Sequence, residues 1–477
     1  MPLDPQTWQP HRLTGAEYAV TEPATGDTLA TVTLASEQDV EFVAGLARTA
    51  QRSWADAPHF VRAAVLRRAG DLFAADSGEL RDWIVRESGS VPDKASLELH
   101  VAAQECYEAA ALASRPTGRV LPSEAPRLSY TRRVPVGVVG VIAPFDFPLL
   151  LAVRSVAPAL ALGNAVVLKP DPRTAVCGGH SLGAVLTGAG LPEDLLHVLP
   201  GGPDVGQEMV ADPRIPVISF TGSTASGRAV AEAAGRHLKR VHLELGGNSA
   251  LIVLEDADLD AVIATAAWGS FFHQGQNCMT TGRHLVHASL YDEYVERLAA
   301  RADSLVVGDP YREQVHLGPL IDRAQLERVQ GLVEASRARG AKLAAGGTHR
   351  GLFYRPTVLA GAGDSTPAYT EEVFGPVAPV RPFHTAEEAV VLASAGPYGL
   401  SLGIVTRDTA RGLELAERIP TGTAHINDQT VNEEAVAPFG GIAASGTGAR
   451  LGGEADLAAF TELRWTTVRR EVARYPF

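Results

Sequence analysis

Cys278 stands behind a polar glycine turn, Gln274-Gly275-Gln276-Asn277, and is followed within three residues by Thr280 and Thr281. A thiol placed this way can face a cleft instead of a core, and once deprotonated it is a nucleophile. The apolar run before it, with Trp268, Phe271 and Phe272, would wall one side of that cleft. Activation needs a base, and the candidate is Glu244, which ends the alternation Val241-His242-Leu243 just before Leu245-Gly246-Gly247. Each residue alone has a plain structural reading, a buried free thiol for Cys278 and a turn cap for Glu244. Together they read as a candidate nucleophile with a candidate base, and a glutamate on a buried-looking strand is rarely there without a partner or a task.

The elements that must position this pair read as an α/β fold. From Val136 to Glu244 short apolar strands alternate with helices, the pattern of a doubly wound parallel sheet. The strands are Val138–Ile142, Ala165–Leu168, Leu196–Leu199, Val217–Phe220 and Val241–Glu244. Ligands sit beyond the carboxyl ends of such strands. Those ends carry Pro144-Phe145-Asp146, Lys169-Pro170, Gly201-Gly202, Thr221-Gly222-Ser223 and Glu244 itself. The stretch from Thr221 to Gly227 is expected to open a helix at Arg228–Ala234, whose free N–H groups suit a pyrophosphate, although its spacing is not G-x-G-x-x-G.

Upstream, residues 1–35 read as irregular apart from a strand at Leu29–Leu34, and Ser36–Ala113 as mostly helical. Ser36 with Asp39 caps the first helix, and Pro116 and Gly118 stop the block. Residues 127–139 alternate like an exposed strand that the final segment, 458–472, could pair with, either as an oligomerisation hairpin or as a surface ribbon. The second half continues with a strand at Ala250–Leu254 and a helix from Asp258. Helices follow at Tyr291–Leu305 and Gln325–Ala338, with strands near Leu402–Thr406 and Gly422–Asn427.

At 477 residues the chain is long for one core and suggests about three units. A net charge of -13 disfavours nucleic acid and anionic membrane as partners, since both want a basic face. Three scattered cysteines, Cys106, Cys177 and Cys278, make neither a disulfide framework nor a metal site, so no metal is expected. The N-terminus lacks an apolar signal core and no apolar run reaches 18 residues, which points to the cytoplasm.

These motifs together resemble the aldehyde dehydrogenase superfamily over essentially the whole chain. The resemblance rests on Pro144-Phe145-Asp146-Phe147-Pro148, Val167-Leu168-Lys169-Pro170, Phe220-Thr221-Gly222-Ser223-Thr224 with Gly227, and Leu243-Glu244-Leu245-Gly246-Gly247. It continues through Gly275-Gln276-Asn277-Cys278, Glu371-Glu372-Val373-Phe374-Gly375-Pro376, and Pro438-Phe439-Gly440-Gly441 with Ser445-Gly446. Lys169-Pro170-Asp171-Pro172-Arg173-Thr174 and His425-Ile426-Asn427-Asp428-Gln429-Thr430 are further similar to the bacterial benzaldehyde and vanillin dehydrogenases.

The resemblance implies a cofactor domain at 1–116 and 136–246, a catalytic domain at 247–445, and an oligomerisation element at 117–135 with 458–477. It assigns nucleophilic attack to Cys278, giving a thiohemiacetal and then a thioester, and general-base work to Glu244. Lys169 is expected on the adenosine ribose, Gly222, Ser223 and Gly227 at the pyrophosphate, Glu372 on the nicotinamide ribose and Phe374 beside its ring. Phe145, Phe147, Arg154, Trp268 and Phe272 are expected to line the aldehyde pocket. Arg154 could meet a ring substituent or serve a structural ion pair. The implied reaction is oxidation of an aldehyde, aromatic in view of those walls, to its acid with NAD or NADP, and the implied assembly a homodimer or dimer of dimers. An aliphatic or semialdehyde substrate is the alternative.

Two positions depart from the family. Asp146 stands where an Asn usually donates to the oxyanion, and an ionised carboxylate cannot donate; either it is held protonated, or the enzyme is impaired. Pro172 stands where a Glu usually holds the adenosine ribose, which leaves NADP open while NAD is favoured.

Overall fold

The structure, a computed structural model, describes residues 12–75, 78–115 and 117–477. Residues 1–11 and Pro116, the expected helix stop, lie outside these residues.

The five apolar runs of the first half form one parallel sheet, Val138–Ile142, Ala165–Lys169, Leu196–Val198, Val217–Thr221 and Arg240–Glu244. In space the third of these strands lies at one edge and the fifth at the other, with the first at the centre. Val138–Ile142 and Ala165–Lys169 are buried at every position, which is why they read as unbroken apolar runs without alternation. Because all five strands are parallel, their carboxyl ends meet on one edge, and Asp146, Lys169, Ser223 and Glu244 arrive there together.

A second, seven-stranded sheet contains Ser249–Val253, Thr281–His287, Val377–Phe383 and Ser401–Val405 side by side, so Cys278 sits just before one of its inner strands. The helical block Glu37–Leu112 packs on the first sheet. Its first helix begins with the expected capping box, the Ser36 hydroxyl and the Asp39 carboxylate each accepting from the other's backbone N–H. The final segment, Thr461–Val468, pairs antiparallel with Leu128–Pro135 along its whole length.

Two readings need correction. Among the described residues before Ser36 the expected strand is present, at Thr28–Thr33, but it pairs with a second one, Glu17–Thr21, as a hairpin, and the short E-Y-A-V-T run carried too little pattern to show it. The helix after Gly222 begins at Thr224, four residues before the expected start, with the Ser223 hydroxyl accepting from Ser226 N–H. Gly227 therefore lies in the first turn of the helix and is needed for packing: a Cβ there would sit 2.3 Å from Leu245 Cδ2.

Candidate active site

The chain reaches Cys278 through a strained turn. His273 and Gln274 have φ of 51° and 56°, a region non-glycine residues enter at a cost, and Gly275 follows at 64°. The turn is held by side chains: Gln274 Nε2 donates to the Gly89 and Pro319 carbonyls, each at 2.9 Å, and Gln276 Oε1 accepts from Ile321 N–H at 3.0 Å. The Cys278 side chain packs against a small apolar cluster of Met279, Leu400 and Phe439. Burial raises its pKa well above the usual thiol value, the charges of Asp146 and Glu372 add to that, and Arg154 opposes it.

The glycine pair after Glu244 joins three of the predicted residues. A Cβ on Gly246 would lie 2.1 Å from Glu372 Oε2, and one on Gly247 would lie 2.6 Å from the Cys278 carbonyl. Gly247 N–H also donates to Glu372 Oε1 at 3.0 Å. Only glycine lets the strand carrying Glu244 approach both neighbours so closely. Glu244 itself is buried, and neither of its oxygens makes a well-formed hydrogen bond. Burial pushes its carboxyl up to about 8 against the pull of Arg154, and pushes Glu372 up to about 7. A buried carboxyl short of partners and with a raised pKa, as at Glu244, is suited to acid–base work, whereas Glu372 is already held by Gly247 N–H.

Asp146 is fully enclosed, and desolvation lifts its carboxyl to about 6 against the pull of Lys94. Its backbone is clamped from the helical block. Lys94, on Pro92–Leu112, donates to the Asp146 carbonyl at 2.8 Å and to Glu98 Oε2 at 2.5 Å, and its ammonium lies 4.2 Å from the Phe147 ring centroid. Glu98 Oε1 accepts from Leu149 and Leu150 N–H at 2.8 and 3.1 Å, capping the helix Pro148–Ala161. Sequence reading passed over this pair. Its signal was two opposite charges four residues apart beside Ala95, Leu99 and Ala102, on a helix face that should have been apolar.

The five expected pocket residues divide three ways. Phe147, Phe272 and Trp268 form one aromatic wall: the Trp268 and Phe272 rings stack at 4.3 Å, and Phe147 lies 6.3 Å from Phe272. Phe145 instead faces the nucleotide side, 4.4 Å beneath the Arg173 guanidinium and edge-on to Phe374 at 5.8 Å. Phe374 holds a φ of 54° in this contact. Arg154 is buried, with Nε 3.6 Å from Glu105 Oε1, Nη2 against Glu433, and its guanidinium 4.4 Å from the Phe439 ring centroid. Of the two roles considered for it, the ion pair is the one the geometry fills.

Across the carboxyl edge of the first sheet lies a cleft of about 1030 Å³ whose lining includes Lys169, Arg173, Gly202, Gly222, Ser223 and Phe145. The N-terminus of the helix Thr224–Arg236 opens into it. A buried lysine at a strand end, small residues and free helical N–H groups together fit the two riboses and pyrophosphate of a dinucleotide. Gly227 takes no part in the lining.

Comparison with known proteins agrees with this geometry. A profile of the aldehyde dehydrogenase family matches residues 8–466. The chain belongs to the aldehyde dehydrogenase family. Among aldehyde dehydrogenases it is 67% identical over 472 residues to a vanillin dehydrogenase of Amycolatopsis sp., covering 99% of this chain and 97% of that one. It is 50% identical to the NAD(+) benzaldehyde dehydrogenase of Pseudomonas putida, covering 97% and 95%. The fold superposes on the salicylaldehyde dehydrogenase of Pseudomonas putida G7, solved with salicylaldehyde, with a TM-score of 0.94 at 34% identity, covering 97% and 96%. The chain is accordingly an oxidoreductase acting on aldehydes. Among the described residues no helix is long and apolar enough to cross a membrane.

Proposed function

We propose that this aldehyde dehydrogenase oxidises an aromatic aldehyde to its carboxylic acid, with NAD ahead of NADP as acceptor. The observation that carries the substrate class is the wall of Phe147, Phe272 and Trp268 beside the Cys278 turn, which offers ring faces to a ring. The names of the vanillin, benzaldehyde and salicylaldehyde relatives support it, and the printed NAD(+) of the benzaldehyde enzyme supports the cofactor.

In this reading Cys278 gives its proton to ionised Glu244 and its sulfur attacks the aldehyde carbon, forming a thiohemiacetal. A bound nicotinamide would supply the acceptor for the hydride that this carbon gives up. A thioester remains on Cys278; Glu244, having passed the thiol proton to solvent, takes a proton from the water that attacks the thioester, and the sulfur leaves as thiolate. Lys169 binds the adenosine ribose, Gly222 and Ser223 lie at the pyrophosphate, and Glu372 orients the nicotinamide ribose with Phe374 beside the ring. The cofactor domain is built on the five-stranded sheet and the catalytic domain on the seven-stranded one. The ribbon of Leu128–Pro135 and Thr461–Val468 exposes Leu128, Leu463, Trp465 and Val468, the surface by which two copies would associate.

Reduced-nicotinamide absorbance with benzaldehyde, and with hexanal as control, tests this reading. Benzaldehyde should give the higher kcat/KM, with a burst equal to the enzyme concentration that is lost in Cys278→Ala. Hexanal turned over equally well would remove the aromatic assignment, and a burst surviving in Cys278→Ala would remove the nucleophile.

A further inference from the structure

Beside Lys169 the nucleotide cleft is walled by a closed set of charges. Asp171 Oδ1 accepts from the backbone N–H and Nε of Arg173, each at 2.9 Å, and Asp171 Oδ2 accepts from Nη2 at 2.7 Å. Arg173 Nη1 donates to Asp322 Oδ2 at 2.5 Å. The guanidinium face is covered by Phe145, so all three of its nitrogens and one of its faces are engaged. Asp322 comes from the other half of the molecule, where its Oδ1 caps the helix Arg323–Ala338 by accepting from Gln325 N–H at 2.8 Å. Lys169, Asp171, Pro172, Arg173 and Asp322 all line the same cleft. Burial pushes the Asp171 carboxyl up, but Arg173 and Lys169 outweigh it and hold the group below the ordinary carboxylate range.

The two cations and two carboxylates at this wall sum to zero. A 2′-phosphate, which brings about two negative charges, would enter beside two fixed carboxylates that already answer the charge of Arg173. A 2′-hydroxyl brings a donor, which the free lone pairs of either carboxylate can accept. We propose that Asp171 and Asp322, by holding Arg173 between them, are the residues that select NAD over NADP in this chain, in place of the carboxylate that Pro172 lacks. The inference rests on the reading of this cleft as the adenosine-ribose end of a dinucleotide site.

Isothermal titration of the full chain with NAD and with NADP, in the absence of aldehyde, tests it apart from turnover. The wild type should bind NAD at least about tenfold more tightly than NADP, because placing like charges side by side is costly. Asp322→Asn retains the helix cap while removing one charge and loosening Arg173. It should improve NADP binding by about tenfold or more, with NAD changed less than about threefold. Asp171→Asn should act in the same direction, and Arg173→Ala, which uncovers both carboxylates, should weaken NADP further. Equal binding of the two cofactors by the wild type, or an unchanged ratio in Asp322→Asn, would overturn the proposal. Binding of neither dinucleotide would overturn the reading of the cleft itself, and the proposal with it.

Discussion

Around Cys278 the carboxyls of Glu244, Glu372 and Asp146 are pushed up by burial, to about 8, 7 and 6, whereas Asp171, enclosed in the nucleotide cleft, is held below the ordinary range. The residue type and the enclosure are similar, and the partners differ. Asp171 has both oxygens bonded to Arg173, while Glu244 has neither oxygen in a well-formed bond and feels Arg154 only across a gap. Desolvation sets the proton affinity of a buried acid unless hydrogen-bonded charge answers it. In the proposed roles, the carboxyl that stays charged for recognition has both oxygens bonded, and the one that takes and releases a proton is left short of partners.

Removing the proton carrier should have the largest effect. Glu244→Gln should lose the burst of reduced cofactor and lower turnover by roughly 10² to 10⁴, since thiol activation and thioester hydrolysis both lose their base; a burst that survives would confine Glu244 to thioester hydrolysis. Next comes Asp146→Asn, expected to raise kcat near pH 8 by roughly 10². The sign follows from a carboxyl near 6 that donates only when protonated: its donation is present below that pH and lost above it, whereas Glu244 becomes a base only as pH approaches 8. The wild type thus has its donor and its base in different pH ranges, and the variant should show one rising limb near 8. Equal or lower turnover in the variant would remove Asp146 from the oxyanion argument.

Arg154→Met tests the cation that faces the reactive side. Leaving Glu105 and Glu433 unpaired should destabilise the fold by about 3–5 kcal/mol, measured by denaturant unfolding. With its cation gone, Glu244 should titrate higher still and the rising limb of kcat should move to higher pH. A raised KM with an unmoved pH profile would instead mark Arg154 as a substrate anchor. The smallest effect is expected at the join between the two regions, where Gly227→Ala must displace Leu245, next to Glu244, and should cost about 1–3 kcal/mol with the cofactor preference unchanged.

Much of this was legible in the chain, for physical reasons. Buried parallel strands must be apolar throughout, so Val138–Ile142 and Ala165–Lys169 announce themselves and the residues at their ends follow. Cys278 and Glu244 were legible as a candidate pair because an acid on a buried strand is costly without a partner or a task and because the family motifs surround both; the thiol alone reads as an ordinary buried residue. Their partners were not. Arg154 meets Glu105 and Glu433 only through tertiary packing, and Asp171 and Arg173 read merely as flanks of Pro172 because Asp322 lies far along the chain. Phe145 was placed in the aldehyde pocket with Phe147, but the bend between the strand Val138–Ile142 and the helix Pro148–Ala161 turns these two rings, two residues apart in the chain, toward different partners.

The clamp of Lys94 and Glu98 on residues 146–150 bears on the order of assembly. The segment that should host the oxyanion is fixed by a helix that precedes it by about fifty residues and belongs to a different layer. A refolding chain whose parallel sheet has formed, but whose helix Pro92–Leu112 has not yet docked, would possess its nucleophile and lack a shaped pocket for the reaction. Recovery of catalysis should therefore lag behind recovery of secondary structure, and the lag would time the arrival of that single helix.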